Sequence, residues 1–175
     1  RDSNIILTNN QIVQGPEIAD HAMAMLLALS RNLPLYFGDR QKANWRRAPF
    51  TGIELNTKNG VIIGCGGIGM QIAVRAWAHG MKLTCVDPED LPFSPFVSLT
   101  VKPDRLNDVL PSADAVFISA PHTAKSHKMM GSAQFDLMKK GSYFIAVSRG
   151  GIYDLPALVK ALDEQRLAGA GVDVT

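Results

Sequence analysis

Cysteine is scarce in this chain. Cys65 and Cys85 are the only two among 175 residues, and they do not form a Cys-x-x-Cys pair. Such scarcity points to neither a disulfide framework nor a zinc site, and a reducing cytoplasm is the simplest expectation for localisation. Long apolar runs are also missing. The longest, Ala22 to Leu29, has eight residues, whereas a membrane-spanning helix needs roughly 20. No secretory leader is visible, and no membrane partner is expected. Arg1 stands where Met would open a natural chain, so further sequence is expected upstream. Charge of either sign is sparse. Eighteen Lys and Arg against 16 Asp and Glu give a net charge of +2, too small to argue for a nucleic-acid partner.

Apolar residues are plentiful. At 46% hydrophobic content and 175 residues, the chain suits one domain with a core that needs no metal or disulfide to hold it. Short apolar runs alternate with helical segments, which predicts an α/β fold with a doubly wound parallel sheet. Ile5 to Thr8 reads as a short strand. Gly15-Pro16 opens a helix whose apolar positions Ile18, Ala22, Met25, Leu26 and Leu29 recur at helical spacing. Ala19, Met23 and Leu27 widen that stripe, so the helix is expected to lie between two packed bodies. Leu33-Pro34 interrupts it, and a second helix is expected to about Trp45. Positions 1–45 thus read as a lead-in, 46–59 as a loop, and 58–175 as the core of a single domain.

Within that core, Gly60-Val61-Ile62-Ile63 runs into G-x-G-x-x-G at Gly64, Gly66 and Gly69. A helical segment and a second β-rich run follow, ending in Asp87, 18 residues after Gly69. This is the order and spacing of a dinucleotide-binding βαβ unit, and NAD is the cofactor it predicts. Gly64 gives the tight turn, Gly66 lets backbone approach a pyrophosphate, and Gly69 lets helix pack on strand. The N–H groups around Gly67 and Ile68 face the phosphates at a helix start. Asp87 is expected to accept the ribose hydroxyls and to repel a 2′-phosphate, favouring NAD over NADP. Glycine-rich strand–helix turns also occur without nucleotides; here strand, helix, second strand and terminal acid occur together.

Further strands are expected at Val97–Val101, Ala115–Ser119, Tyr143–Val147 and from Ala168. Helices are expected at Pro103–Leu110, at Ser132–Met138 with a serine cap, and after a cap at Asp154. Three polar segments then fall at the carboxyl ends of strands, where open α/β sheets bind ligands: Ala120-Pro121-His122-Thr123, Ser148-Arg149-Gly150-Gly151 and Gly171-Val172-Asp173-Val174.

Taken together, these residues resemble the D-isomer-specific 2-hydroxyacid dehydrogenases, specifically their NAD-binding domain, a Rossmann fold with an N-terminal interdomain helix. The resemblance runs from Val13-Gln14-Gly15-Pro16-Glu17-Ile18-Ala19-Asp20-His21, through Gly64–Gly69 and Met138-Lys139-Lys140-Gly141, to Arg149-Gly150-Gly151 and Ala168–Val174. It implies hydride transfer between NAD(H) and a small 2-oxo or 2-hydroxy acid. By position, Arg149 matches the catalytic arginine, binding the 2-oxo acid and polarising its carbonyl. Asp173 matches an acid that contacts the nicotinamide carboxamide. Ala120, Pro121, Val147 and Ser148 match cofactor-contacting backbone. Ala146 stands where the family often has Asn, and Asp20 where it usually has Glu.

The family's histidine–glutamate acid/base pair lies beyond the position of Asp173, and its substrate domain before Arg1. Among the four histidines, His122 alone has a plausible acid/base location. His21 reads as a packing or interface residue, and His79 and His127 as surface. Trp45 and the following loop resemble a segment that embraces a partner subunit, implying a homodimer. Two other functions stay open: an NAD-sensing corepressor-like relative, and another NAD enzyme akin to a formate dehydrogenase or an adenosylhomocysteine hydrolase.

Overall fold

The segments around Val61–Ile63, Val116–Ile118 and Phe144–Ala146 are apolar at consecutive positions. Strands of that kind are stable only where helices cover both faces of a parallel sheet. The computed structural model describes residues 5, 6, 8, 13–45 and 52–174, and in it these runs are central strands. The strands are β1 (Asn59–Ile63), β2 (Lys82–Val86), β3 (Leu99–Val101), β4 (Ala115–Ile118), β5 (Ser142–Ala146) and β6 (Leu167–Val172). All neighbours pair in parallel, in the order β3-β2-β1-β4-β5-β6. The order reverses between β1 and β4, and a ligand crevice opens at the carboxyl ends of strands at such a point. This is a Rossmann-type α/β fold.

Six helices accompany the sheet among the described residues: α1 (Gly15–Ser30), α2 (Leu33–Gln41), α3 (Gly67–Ala78), α4 (Leu106–Val109), α5 (Ser132–Leu137) and α6 (Leu155–Asp163). Successive strand residues face opposite sides of the sheet, and two cores result. On one side Val61, Ile63, Val116, Ile118 and Phe144 pack with Phe135 and Leu158. On the other Ile62, Leu83, Phe117 and Ile145 pack with Ile72 of α3 and Leu26 of α1. Phe117, Phe135 and Phe144 are fully buried, each contributing roughly 1.5–3 kcal/mol.

Helix α1 lies against α3, β5 and β6. Gly169 and Gly171 of β6 leave the room that Leu29 and Met25 fill; a Cβ on Gly171 would stand 2.9 Å from the Met25 side chain. Arg75 Nε of α3 also meets Asp20 Oδ1 of α1 at 2.5 Å, with Asp20 largely exposed. Exposed pairs contribute about 1 kcal/mol or less, so apolar packing holds the helix. Glu17, Asp20, His21 and Ala24 of this helix are exposed.

Several expectations need correction. Ile5, Ile6 and Thr8 lie in no strand, and Leu7 is outside the described residues. Leu33-Pro34 does separate two helices as expected, with Pro34 in the first turn of α2, where its missing N–H costs nothing. That helix ends at Gln41, short of Trp45, and of the expected loop 46–59, positions 46–51 are outside the described residues. The helix after Pro103 is a single α-turn between two 3₁₀ turns. Ser132 is not a cap. Gly131 holds that position, and the Gln134 side chain accepts its N–H at 3.1 Å. Asp154 does cap α6, accepting from Ala157 N at 3.0 Å.

The largest correction concerns the cysteines. Cys65 and Cys85 form a disulfide. Twenty residues separate them in sequence, but β1 and β2 are neighbours with Ile62 opposite Cys85. The turn after β1 brings Cys65 back over that position.

Candidate functional site

The turn leaving β1 is shaped by what a side chain would strike. Gly64 has φ +88°, and a Cβ on it would lie 2.4 Å from Ala120 Cα. Only glycine fits both the left-handed backbone and that approach. Ser119 Oγ donates to Gly64 O at 2.6 Å, which ties the turn to the end of β4. A Cβ on Gly69 would stand 2.1 Å from Gly64 O, so α3 starts flush against the turn. Gly66 differs: the space where its Cβ would be is open. No side chain caps α3 at Gly66, and the first-turn amides of Gly67, Ile68 and Gly69 have no acceptor within their own helix.

Asp87 ends β2 beside this turn and is only 7% exposed. Its Oδ2 accepts the Cys65 N–H at 2.7 Å and its Oδ1 accepts the Glu89 N–H at 2.9 Å. Each carboxylate oxygen has two acceptor sites, so each keeps one for another donor. Lys102, just past β3, reaches the turn after Asp87 and donates to Pro88 O at 2.8 Å and Asp90 Oδ1 at 2.6 Å. The Lys102 ammonium holds the Asp90 carboxyl below its ordinary value, first through that hydrogen bond and then through its charge.

The ends of β4, β5 and β6 continue the crevice. Val147 N donates to Ile118 O and Asp173 N to Ala146 O, both at 3.0 Å, placing Ala120, Val147, Ser148 and Asp173 on adjacent strand ends. Ala120 and Val147 are buried; Pro121 and Arg149 are exposed. Arg149 has extended backbone and donates from Nη1 to Ser148 O at 3.0 Å. The Ser148 hydroxyl is buried with no hydrogen-bond partner among the described residues. A buried orphan of this kind, an open space at Gly66 and free amides at a helix start suit a ligand that supplies phosphate and polar ring substituents. The residues present fit a dinucleotide.

Sequence reasoning did not anticipate several contacts. His21 of α1 reaches Asp173, Nε2 to Oδ1 at 3.5 Å. His127 is exposed as expected, but its Nδ1 lies 3.0 Å from His122 Nε2. The His122 ring occupies the space beside Gly151, where a Cβ would stand 2.6 Å from it. His79 is at the surface, hydrogen-bonded to Arg75 O. Nothing local in the sequence signals the His21 or His127 pairings, which arise from tertiary packing. Ser119, a small hydroxyl residue at a strand end beside the glycine turn, was the one readable sign. Among the described residues no group of three His, Cys, Asp or Glu side chains is placed to hold a metal ion, and no helix is long and apolar enough to cross a membrane.

Comparison with known proteins gives consistent results. The profile of the D-isomer specific 2-hydroxyacid dehydrogenase, NAD binding domain, matches residues 23–175. A D-3-phosphoglycerate dehydrogenase of Methanocaldococcus jannaschii is 34% identical over 174 residues, covering 99% of this chain and 33% of that protein. One from Bacillus subtilis is 35% identical over 156 residues, covering 89% and 30%. The chain thus spans about a third of the length of these curated relatives. Among solved structures, the D-lactate dehydrogenase of Aquifex aeolicus, complexed with NAD and lactic acid, superposes with a TM-score of 0.82 at 30% identity. It covers 93% of this chain, which spans 49% of it. Phosphoglycerate dehydrogenase of Lactobacillus plantarum gives 0.86 at 26% identity, over 98% and 55%.

Proposed function

Because this chain belongs to the D-isomer specific 2-hydroxyacid dehydrogenases, as their NAD-binding domain, we propose that the full protein transfers hydride between NAD(H) and a small D-2-hydroxy acid and its 2-oxo acid. The observation that carries this reading is the convergence of the glycine turn, Asp87, Ala120, Arg149 and Asp173 on the carboxyl ends of five adjacent parallel strands.

NAD supplies the hydride; the chain supplies position and charge. The amides at Gly66, Gly67, Ile68 and Gly69 hold the pyrophosphate on the dipole of α3. Asp87 accepts the ribose hydroxyls on its two remaining sites, and its negative charge discriminates against a 2′-phosphate. Ala120, Pro121, Val147 and Ser148 line the nicotinamide half, and Asp173 receives the carboxamide. Arg149, exposed at its strand end, swings its guanidinium from Ser148 O onto the substrate's carboxylate and carbonyl oxygens. Its fixed fork of donors polarises the carbonyl and stabilises the alkoxide that develops there.

The acid/base step is assigned to the family's histidine–glutamate pair, which lies beyond the position of Asp173, rather than to His122 or His21. Residues 1–175 alone therefore bind NAD(H) without turning over 2-oxo acids. The full protein is taken to be a cytoplasmic homodimer. Leu33, Leu35, Tyr36 and Phe37 expose apolar surface on or beside α2, and Trp45 is 84% exposed, a patch suited to a second copy.

Steady-state assays of the full-length protein on a panel of 2-oxo acids, with NADH and with NADPH, test the reading. NADH-dependent reduction of at least one 2-oxo acid is expected. No reduction across the panel overturns the function, and a clear preference for NADPH overturns the role of Asp87.

A further inference from the structure

The Cys65–Cys85 disulfide joins the two walls of the site's adenosine side. Cys65 lies inside the glycine turn, and Cys85 is two residues before Asp87 on β2. Their Cα atoms are 6.1 Å apart, inside the roughly 4.4–6.8 Å range that a disulfide spans without backbone movement. The Cys65 amide is also the donor to Asp87 Oδ2 at 2.7 Å. One residue therefore carries both the cross-link and the hydrogen bond that orients the ribose-binding acid.

We propose that Cys65 and Cys85 form a reversible thiol–disulfide site that sets the affinity for NAD, the disulfide form being the tighter binder. The proposal rests on the assignment of Gly64–Asp87 as the cofactor site. Two thiols cannot stay at bonding distance; they separate to van der Waals contact. Cys85 cannot give way, because β2 is paired to β1 on one side and to β3 on the other. The core around both sulfurs, including Ile62, Ile72 and Ala73, is close-packed. The movement falls on Cys65, between two glycines, and takes its amide away from Asp87. The carboxylate and the phosphate-facing amides then lose their fixed arrangement, and binding must restore it.

The chemistry is a two-electron exchange with a small dithiol reductant. One reductant thiolate attacks a protein sulfur, the disulfide bond breaks, and a mixed disulfide forms. The second reductant thiolate displaces it, leaving two protein thiols and the reductant as its own disulfide. Cys65 and Cys85 are 2% and 0% exposed, so the exchange requires the glycine turn to open. Bound NADH, seated on that turn, opposes the opening, and by linkage it favours the form it binds better.

The test uses the full-length protein prepared with oxidised glutathione or with dithiothreitol. Non-reducing tryptic mapping should link peptides 59–75 and 83–105, which carry Cys65 and Cys85. NADH fluorescence titration should show roughly three- to tenfold weaker binding after reduction, the scale of one hydrogen bond. The C65A/C85A double variant should bind NADH equally under both conditions, and NADH should slow reduction of the wild-type disulfide. Absence of the linked peptides in the oxidised sample overturns the proposal. Equal NADH affinity in both wild-type states overturns it while leaving the site intact. Loss of NADH binding in both states overturns the site assignment as well.

Discussion

His21 Nε2 stands 3.5 Å from Asp173 Oδ1, so a residue of the first helix faces the acid just past the last strand. Asp173 is assigned to the nicotinamide carboxamide, and His21 is its neighbour on the side of α1. Asp173→Ala should weaken NADH binding roughly tenfold or more, since it removes a charged acceptor. His21→Gln should have a smaller effect, because the pair is about half exposed on both sides. Fluorescence titration of both variants checks the order; a larger loss in His21→Gln would reverse the assignment.

Arg149→Lys keeps the charge and removes the planar fork. In the full-length protein kcat/KM for a 2-oxo acid should fall about 10²–10³-fold, the scale of losing one donor to a developing oxyanion. The NADH dissociation constant should change little. Steady-state kinetics with parallel titration separates the two effects.

Two glycines of the same turn should fail differently. Gly64→Ala puts a Cβ into Ala120 at a positive φ, so the protein itself should be destabilised and its melting temperature lowered. Gly66→Ala adds a methyl to open space, so melting should be near wild type while NADH binding is lost. Circular-dichroism melts and titrations on both variants check the contrast.

Asp114 is a structural carboxylate at the opposite end of the sheet. It accepts Asn59 N at 2.9 Å and Lys139 Nζ at 2.6 Å, and it is largely buried. Asp114→Ala should cost about 1 kcal/mol by leaving the half-buried Asn59 N–H without its acceptor, with NADH affinity preserved in the surviving folded protein. Urea denaturation measures the loss.

The α6 cap gives a pH dependence. The Ala157 N–H, and next the Lys128 side chain, hold the Asp154 carboxyl below its ordinary 3.8. A carboxyl whose value is lowered on folding stabilises the protein above the unfolded value, and the benefit is lost as pH falls through the folded one. Asp154→Ala should therefore melt lower than wild type at neutral pH, and the gap should close as pH drops below about 3.8. Thermal melts across that range follow it.

Much of this arrangement was legible in the sequence because its signals are local. The glycine spacing, the apolar strands and the Asp154 cap each depend on a few consecutive residues, and each stands where its pattern places it. Ile5-Ile6 showed the limit: apolar residues form a strand only when a neighbouring strand pairs with them. Ser132 showed another, since Gln134 can satisfy the Gly131 N–H and move the helix start by one residue. The disulfide and the His21–Asp173 pair were hidden for a single reason. Both join residues brought together by strand order and helix docking, and no spacing rule encodes that. The roles of Arg149 and Asp173 came from resemblance rather than from periodicity.

The seat of α1 on β6 has a mechanical consequence. Met25 and Leu29 fill the space left at Gly171 and Gly169, so the helix cannot slide or roll without first emptying those sockets. Helix and sheet are thereby locked together as one rigid piece, with His21 and Asp173 on its rim. Whatever binds over the ends of β5 and β6 therefore meets a wall that helix and strand build jointly.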